Sequence, residues 1–142
     1  MSLLSVIVPC YNEEESVALF YEELLKNEPF FQEHQIELEL LYINDGSRDR
    51  TVEEVKKLHE KDSRVHLVSF SRNFGKESAI FAGLANAEGD CCAVMDCDLQ
   101  HPPETLIEMY HLWEEGYEVI EGVKHSRGKE SALHRASAGL FY

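Results

Sequence analysis

The chain has 142 residues, 44% hydrophobic and 28% charged, a composition that suits one globular domain with a real core. Its formal net charge of −14 argues against a partner such as nucleic acid, which needs a basic surface. No apolar run approaches the ~18 residues of a membrane span and no secretory leader opens the chain, so a soluble, cytoplasmic chain is expected.

Ser5-Val6-Ile7-Val8 is a β-branched run closed by Pro9, as expected of a buried parallel strand. Asn12 is placed to cap a helix from about Glu13 to Lys26, with Glu15 completing a capping-box-like pattern. Leu38 to Ile43 reads as a second strand and Asp45-Gly46-Ser47 as turn chemistry. Thr51 with Glu54 opens a second helix, whose apolar stripe is Val52, Val55 and Leu58. Val65 to Phe70 is a third strand, followed by the polar loop Ser71-Arg72-Asn73-Phe74-Gly75. Lys76 to Ala87 is a helix of small residues, able to pack closely on a sheet, and Gly89-Asp90 breaks it before a fourth strand, Cys91 to Met95. Pro102-Pro103 suits a first helical turn, and Thr105 to Glu115 carries Leu106, Ile107, Met109, Tyr110 and Trp113. Gly116 caps that helix, and Val119-Ile120 begins a fifth strand.

Strands and helices alternating at this spacing imply an α/β fold, with a mostly parallel sheet and helices on both faces. Ligands of such sheets bind outside the carboxyl ends of the strands. Pro9 to Glu13, Asn44 to Ser47, Ser71 to Asn73 and Asp96-Cys97-Asp98 each follow a strand, so four polar clusters are expected on one rim. The cysteines Cys10, Cys91, Cys92 and Cys97 form no paired C-x-x-C units and are read as reduced residues in or near the core.

Asp96 and Asp98 are the strongest chemical signal. In extended chain, alternate residues point to one side, with Cα atoms about 6.5–7 Å apart. Two carboxylates aimed at one point repel unless a cation sits between them, and Mg²⁺ or Mn²⁺ takes oxygen ligands while leaving room for substrate phosphates. Gln100 continues the alternation and can lend a carbonyl oxygen; as a bland alternative, Gln100 and His101 simply turn the chain toward Pro102. Asp45 can accept hydrogen bonds from a base or ribose, or it can merely stabilise a tight turn. Tyr11 offers a ring to pack on a base and Glu13 a carboxylate for a ribose hydroxyl, with Asn12 beside them as a helix cap, a ligand contact or both. Arg72, Asn73 and Lys76 cluster at a helix start, where anions are attracted, so Lys76 is either a diphosphate contact or an exposed lysine. Glu77 reads as a first-turn helix acid. Lys124, Arg127, Lys129 and Arg135 concentrate cations in a stretch with the single acid Glu130, either to meet an anion or as a solvated face.

The strings V-P-C-Y-N-E-E, N-D-G-S-R-D-R-T, S-R-N-F-G-K-E and M-D-C-D-L-Q-H-P-P-E resemble, in this order, the inverting family 2 glycosyltransferases. They are most similar to the polyprenyl-phosphate sugar transferases, a group that includes bactoprenol glucosyltransferases and dolichol-phosphate mannose synthases. The resemblance runs from Val6 to Tyr142. It implies a GT-A-type, Rossmann-like fold and transfer of a hexose from a UDP- or GDP-sugar to a polyprenyl phosphate. It also implies that Pro9, Tyr11, Glu13 and Asp45 hold the nucleoside; Asn12, Asn73 and Lys76 join the expected substrate-binding set from their own positions at the rim. Asp96, Asp98 and Gln100 would surround Mg²⁺ or Mn²⁺, with Asp96 also near the ribose or diphosphate. Arg127 and Arg135, with Lys124, would face the donor diphosphate or the lipid phosphate, making Asp96, Asp98 and Arg127 the catalytic set.

Three departures from the family pattern stand out. Asn44 replaces the first of two aspartates, leaving Asp45, and Lys124 stands where arginine is usual, which weakens bidentate phosphate binding there. Relatives continue with a further acidic segment and membrane helices, so this chain is expected to be a nucleotide-sugar-binding fragment. The full protein would then work at the cytoplasmic side of a membrane. Phe141-Tyr142 and the apolar run before them suit a core or a homo-oligomer interface. The rival readings are a family 2 transferase with a saccharide hydroxyl as acceptor, a binding module without turnover, and a phosphoryl-transfer enzyme of the haloacid dehalogenase type. The last places its D-x-D after the first strand rather than the fourth.

Overall fold

The computed structural model describes residues 2–118 and Ile120. The fifth strand expected from Val119 falls outside these residues except for Ile120, and Lys124, Arg127, Lys129, Arg135 and Phe141-Tyr142 fall outside them entirely. The chain forms two compact units, 1–103 and 104–142. The first holds a four-stranded parallel sheet of β1 (Ser2–Cys10), β2 (Ile36–Asn44), β3 (Val65–Ser69) and β4 (Cys91–Val94), ordered β3-β2-β1-β4. Its helices are α1 (Val17–Leu25), α2 (Glu28–Glu33), α3 (Thr51–Lys61) and α4 (Lys76–Asn86).

The sheet is parallel because each strand returns through a helical crossover, and the right-handedness of such crossovers sets the layers. From β1 to β3 the chain steps in one direction, which puts α1 and α3 together on one face. The step from β3 back past β1 to β4 reverses direction and carries α4 to the other face, against β1 and β2. The two-residue period of β2 serves both layers. Tyr42 turns toward α1, donating its hydroxyl to the Val17 carbonyl at 3.0 Å and meeting the Phe20 ring edge-on at 6.4 Å. Leu41 and Ile43 turn the other way and pack with Ile7 and Ala79, flanked by Val68 and Val94. Full burial of each such aliphatic side chain contributes about 1.5–3 kcal/mol. The close packing expected of α4 is seen at Gly83, where an added Cβ would lie 2.3 Å from Ile7 Cγ2.

Three boundaries differ from expectation. β1 runs through Pro9 to Cys10 instead of ending at the proline. Pro9 is tolerated because odd-numbered residues of β1 face β4, and β4 pairs only as far as Ile7, so no ladder bond is lost. The first helix begins at Val17 and not near Glu13: Asn12 sits at φ 52° and its side chain is engaged elsewhere. A short helix, α2, was not anticipated; it starts at Glu28 with Pro29 in its first turn and buries Phe31.

In the second unit, α5 (Thr105–Glu114) buries Leu106 and Tyr110. Gly116, at φ 109°, ends it as expected, with the Gly116 and Tyr117 amides donating to the Trp113 and Leu112 carbonyls in a Schellman cap.

Candidate functional site

Parallel strands bring the four polar clusters to one rim, as anticipated. The chain order reverses between β1 and β4, since β2 and β3 lie on one side of β1 and β4 on the other. The loops leaving β1 and β4 therefore part at this point and open a crevice at the strand ends. Tyr11 to Ser16 leave from one wall and Met95 to Gln100 from the other.

The loop after β1 is fixed by the loop after β2. The Asn12 amide donates to Ser47 Oγ at 2.9 Å, and Asn12 Oδ1 accepts the Arg48 amide at 2.8 Å. The Glu13 amide donates to Thr51 Oγ1 at 2.9 Å, and the Glu14 amide to Asp49 Oδ2 at 3.2 Å. Glu14 Oε1 in turn accepts the Arg50 amide at 2.9 Å. Thr51 is fully buried and its hydroxyl also donates to Asp49. Burial opposes charge on Asp49, but the Thr51 hydroxyl and the backbone amides outweigh it and hold the carboxyl below its usual range. This lacing leaves Tyr11 exposed at the rim and Glu13 half-buried. Asn12 is thus a loop clamp in place of the expected helix cap. Glu14, Asp49 and Thr51, which lace the two loops, were not singled out as site residues from the sequence; the signal was the alternation of Ser47, Asp49 and Thr51 after Gly46.

Asp45 holds its turn more firmly than a simple turn requires. Only 4% exposed, it accepts the Phe74 amide at 2.7 Å through Oδ1 and the Gly75 amide at 3.1 Å through Oδ2. Asn73 Nδ2 donates to the same carboxylate at 3.2 Å and to the Asp45 carbonyl at 3.1 Å. Asp45 and Asn73, expected on the substrate, therefore grip each other and the start of α4. Gly46 permits the close approach: at φ 72°, a Cβ there would lie 2.3 Å from Arg72 C and Asn73 N. Pro9 is buried within β1.

Asp96 and Asp98 stand on the β4 side of the crevice, though not on extended chain. β4 ends at Val94, Cys97 and Asp98 form a turn, and Leu99 adopts φ 63°. The expected alternation through Gln100 fails, because after Met95, whose amide still donates to the Ile7 carbonyl at 2.9 Å, the chain leaves β1 and turns. Gln100 folds back, its Nε2 donating to Asp98 Oδ2 at 3.0 Å. Convergence of charge nevertheless survives the turn. The Glu13 carboxyl is pushed up by burial first, then by the negative charges of Asp98 and Asp96 across the crevice. A cation already sits at this cluster: Lys76 Nζ lies 2.6 Å from Asp96 Oδ1. Between Asp96 and Asp98, Cys97 is buried, and its thiol, followed by burial, raises the Cys10 thiol well above its ordinary value, while Cys10 Sγ donates to the Val8 carbonyl at 3.4 Å.

Hard oxygen donors, mutual carboxylate repulsion and a lysine ammonium drawn to one of them fit a divalent cation. Among the described residues no group of three side chains is gathered as ligands. A cation at Asp96 and Asp98 would need substrate phosphate and water to complete its shell, the usual habit of Mg²⁺.

Comparison with known proteins agrees with this geometry. Residues 5–138 match the family profile described as glycosyl transferase family 2. The chain belongs to that family. This family 2 chain is 41% identical to the uncharacterized glycosyltransferase YkcC of Bacillus subtilis, over 97% of its own length and 42% of the relative's. It is 39% identical to the bactoprenol glucosyl transferase of Shigella phage SfV, over 98% of its own length and 44% of that protein's. It thus spans rather less than half of these curated relatives. Its fold matches the mannosyltransferase PcManGT from Pyrobaculum calidifontis, solved in complex with GDP-Man and Mn²⁺. The TM-score is 0.72 at 23% identity, covering 89% of this chain and 37% of that one. The architecture is accordingly the GT-A type expected from the sequence. Among the described residues no helix is long and apolar enough to cross a membrane.

Proposed function

We propose that this family 2 chain is the donor-binding part of an inverting hexosyltransferase. The whole protein would move a hexose from a UDP- or GDP-sugar to a polyprenyl phosphate. The observation that carries the reading is the meeting of Glu13, Asp96, Asp98 and Lys76 at the point where the sheet order reverses. The phage relative's name supports the lipid acceptor, and the Mn²⁺ and GDP-Man in the archaeal mannosyltransferase support a metal-assisted donor.

Tyr11, exposed beside Glu13, offers a ring for the base, and Glu13 offers a carboxylate for the ribose. Asp45 serves the nucleoside indirectly, by holding the loop at residues 73–75. A divalent ion held by Asp96 and Asp98 would act as a Lewis acid toward the departing diphosphate, an effect of several kcal/mol in such reactions. Lys76 stands where it can add positive charge to the same group. Arg127 and Arg135, with Lys124, are proposed to meet the donor or lipid phosphate. A phosphate acceptor is already anionic at neutral pH, so the site needs no strong general base. The test is product analysis with labelled UDP-glucose and GDP-mannose, offering polyprenyl phosphate and an oligosaccharide in parallel. Label in the lipid phase supports the reading; label only in the saccharide overturns the choice of acceptor.

A further inference from the structure

Asp96 carries a cation of the protein's own before any ligand arrives. Lys76 is the first residue of α4, and its Nζ donates to Asp96 Oδ1 at 2.6 Å. The side chains are 58% and 33% exposed, so the pair is open to solvent, and among the described residues it is held only by its mutual attraction. Exposed pairs of this kind are weak, and so are readily exchanged. The backbone that roots the lysine is not mobile to the same degree, because the Asp45 carboxylate holds the Phe74 and Gly75 amides immediately before it. The ammonium can therefore swing on its own flexible stem while its base stays fixed at the rim.

We infer that Lys76 is an exchangeable counter-ion that couples metal binding to donor binding. With no donor present it neutralises Asp96 and makes the carboxylate pair a poor site for a bare divalent ion. When a nucleoside diphosphate enters, its phosphate oxygens take the ammonium and free Asp96 for the metal. Ion and nucleotide then bind together, each strengthening the other to the same degree. The inference rests on the reading of Asp96 and Asp98 as the donor site, and it adds to that reading an order of events and a residue that enforces it.

The test titrates the 142-residue chain with Mn²⁺ alone, followed by the electron paramagnetic resonance of the free ion, and with UDP and GDP, each in EDTA. Lys76→Met is expected to bind Mn²⁺ roughly three- to tenfold more tightly than wild type, since one repelling charge and one competing ion pair are gone. It is expected to bind metal-free nucleotide more weakly by a similar factor. Lys76→Arg keeps the charge and should stay within about twofold of wild type in the Mn²⁺ titration. Unchanged or weaker Mn²⁺ binding by Lys76→Met, in a protein that still binds Mn²⁺ and nucleotide together, overturns the counter-ion role and leaves the donor site standing. Failure of the wild-type chain to bind nucleotide, with or without Mn²⁺, overturns both.

Discussion

Replacing Asp45 by alanine removes the acceptor for three donors at once: the Phe74 amide at 2.7 Å, the Gly75 amide at 3.1 Å and Asn73 Nδ2 at 3.2 Å. Asp45 is 4% exposed but its bonds are only part-buried, so the orphaned donors regain part of their hydration in exchange. A hydrogen bond to a charged group contributes about 1.5–3 kcal/mol net. Counting the shortest bond in full and the two longer ones in part, Asp45→Ala should cost about 3–4 kcal/mol. Asp45→Asn keeps the shape and one acceptor oxygen but turns an amide donor toward a backbone N–H, and should cost about 2 kcal/mol. Urea unfolding followed by circular dichroism reads both values, with the midpoint moving and the slope unchanged. Nucleotide affinity should fall in both variants, since the loop that leads into Lys76 loosens. The reasoning is refuted if Asp45→Ala unfolds within about 0.5 kcal/mol of wild type while nucleotide binding alone is lost. That result would make Asp45 a direct nucleoside contact and not a loop holder.

Gly83→Ala should destabilise the chain by about 1–3 kcal/mol in the same unfolding assay, because its Cβ would press to 2.3 Å from the fully buried Ile7. A cost below about 0.5 kcal/mol would mean that α4 can lift off the sheet freely. The pH dependence of stability should have two identifiable limbs. Hydrogen bonds from Arg64, aided by the Tyr21 hydroxyl, overcome burial and hold the Asp62 carboxyl well below its usual range. That stabilisation is complete above the unfolded value of about 3.9 and is lost as pH falls below it, so Asp62→Asn should flatten the acid limb. Burial, then the bond to Asp62, pushes the Tyr21 hydroxyl up to about 12. Its contribution is complete below the unfolded value of about 10 and fades as pH rises toward 12, so Tyr21→Phe should remove that part of the alkaline limb. Stability curves of the two variants that overlay wild type at both extremes would contradict these assignments.

What could be read from the chain alone was whatever depends on near neighbours. Val6 to Val8 and Leu40 to Ile43 are apolar on both faces because helices cover both sides of the sheet, and the rim position of Asp96 follows from the strand before it. What escaped depends on partners distant in sequence or on where the chain leaves its partner strand. Asn12 looks like a helix cap until the loop carrying Ser47 and Arg48, some 35 residues away, claims its amide and its side chain. Asp45 looks like a turn residue or a ligand contact because its amide partners lie 29 and 30 residues further on. The turn at Cys97-Asp98 replaced an extended segment because the chain leaves β1 after Met95. The short α2 escaped because six residues show too little of a helical period.

The carboxylate pair can be tested most directly by calorimetric titration of UDP-glucose and GDP-mannose, with Mn²⁺ or with EDTA, into wild type and Asp98→Ala. Asp98 is exposed and hydrogen-bonds only to Gln100 among the described residues, so the variant should melt like wild type. Wild type should bind one of the donors in Mn²⁺ and lose most of that affinity in EDTA, and Asp98→Ala should show only the weak, metal-independent remainder. Full Mn²⁺-dependent affinity in Asp98→Ala would contradict the account.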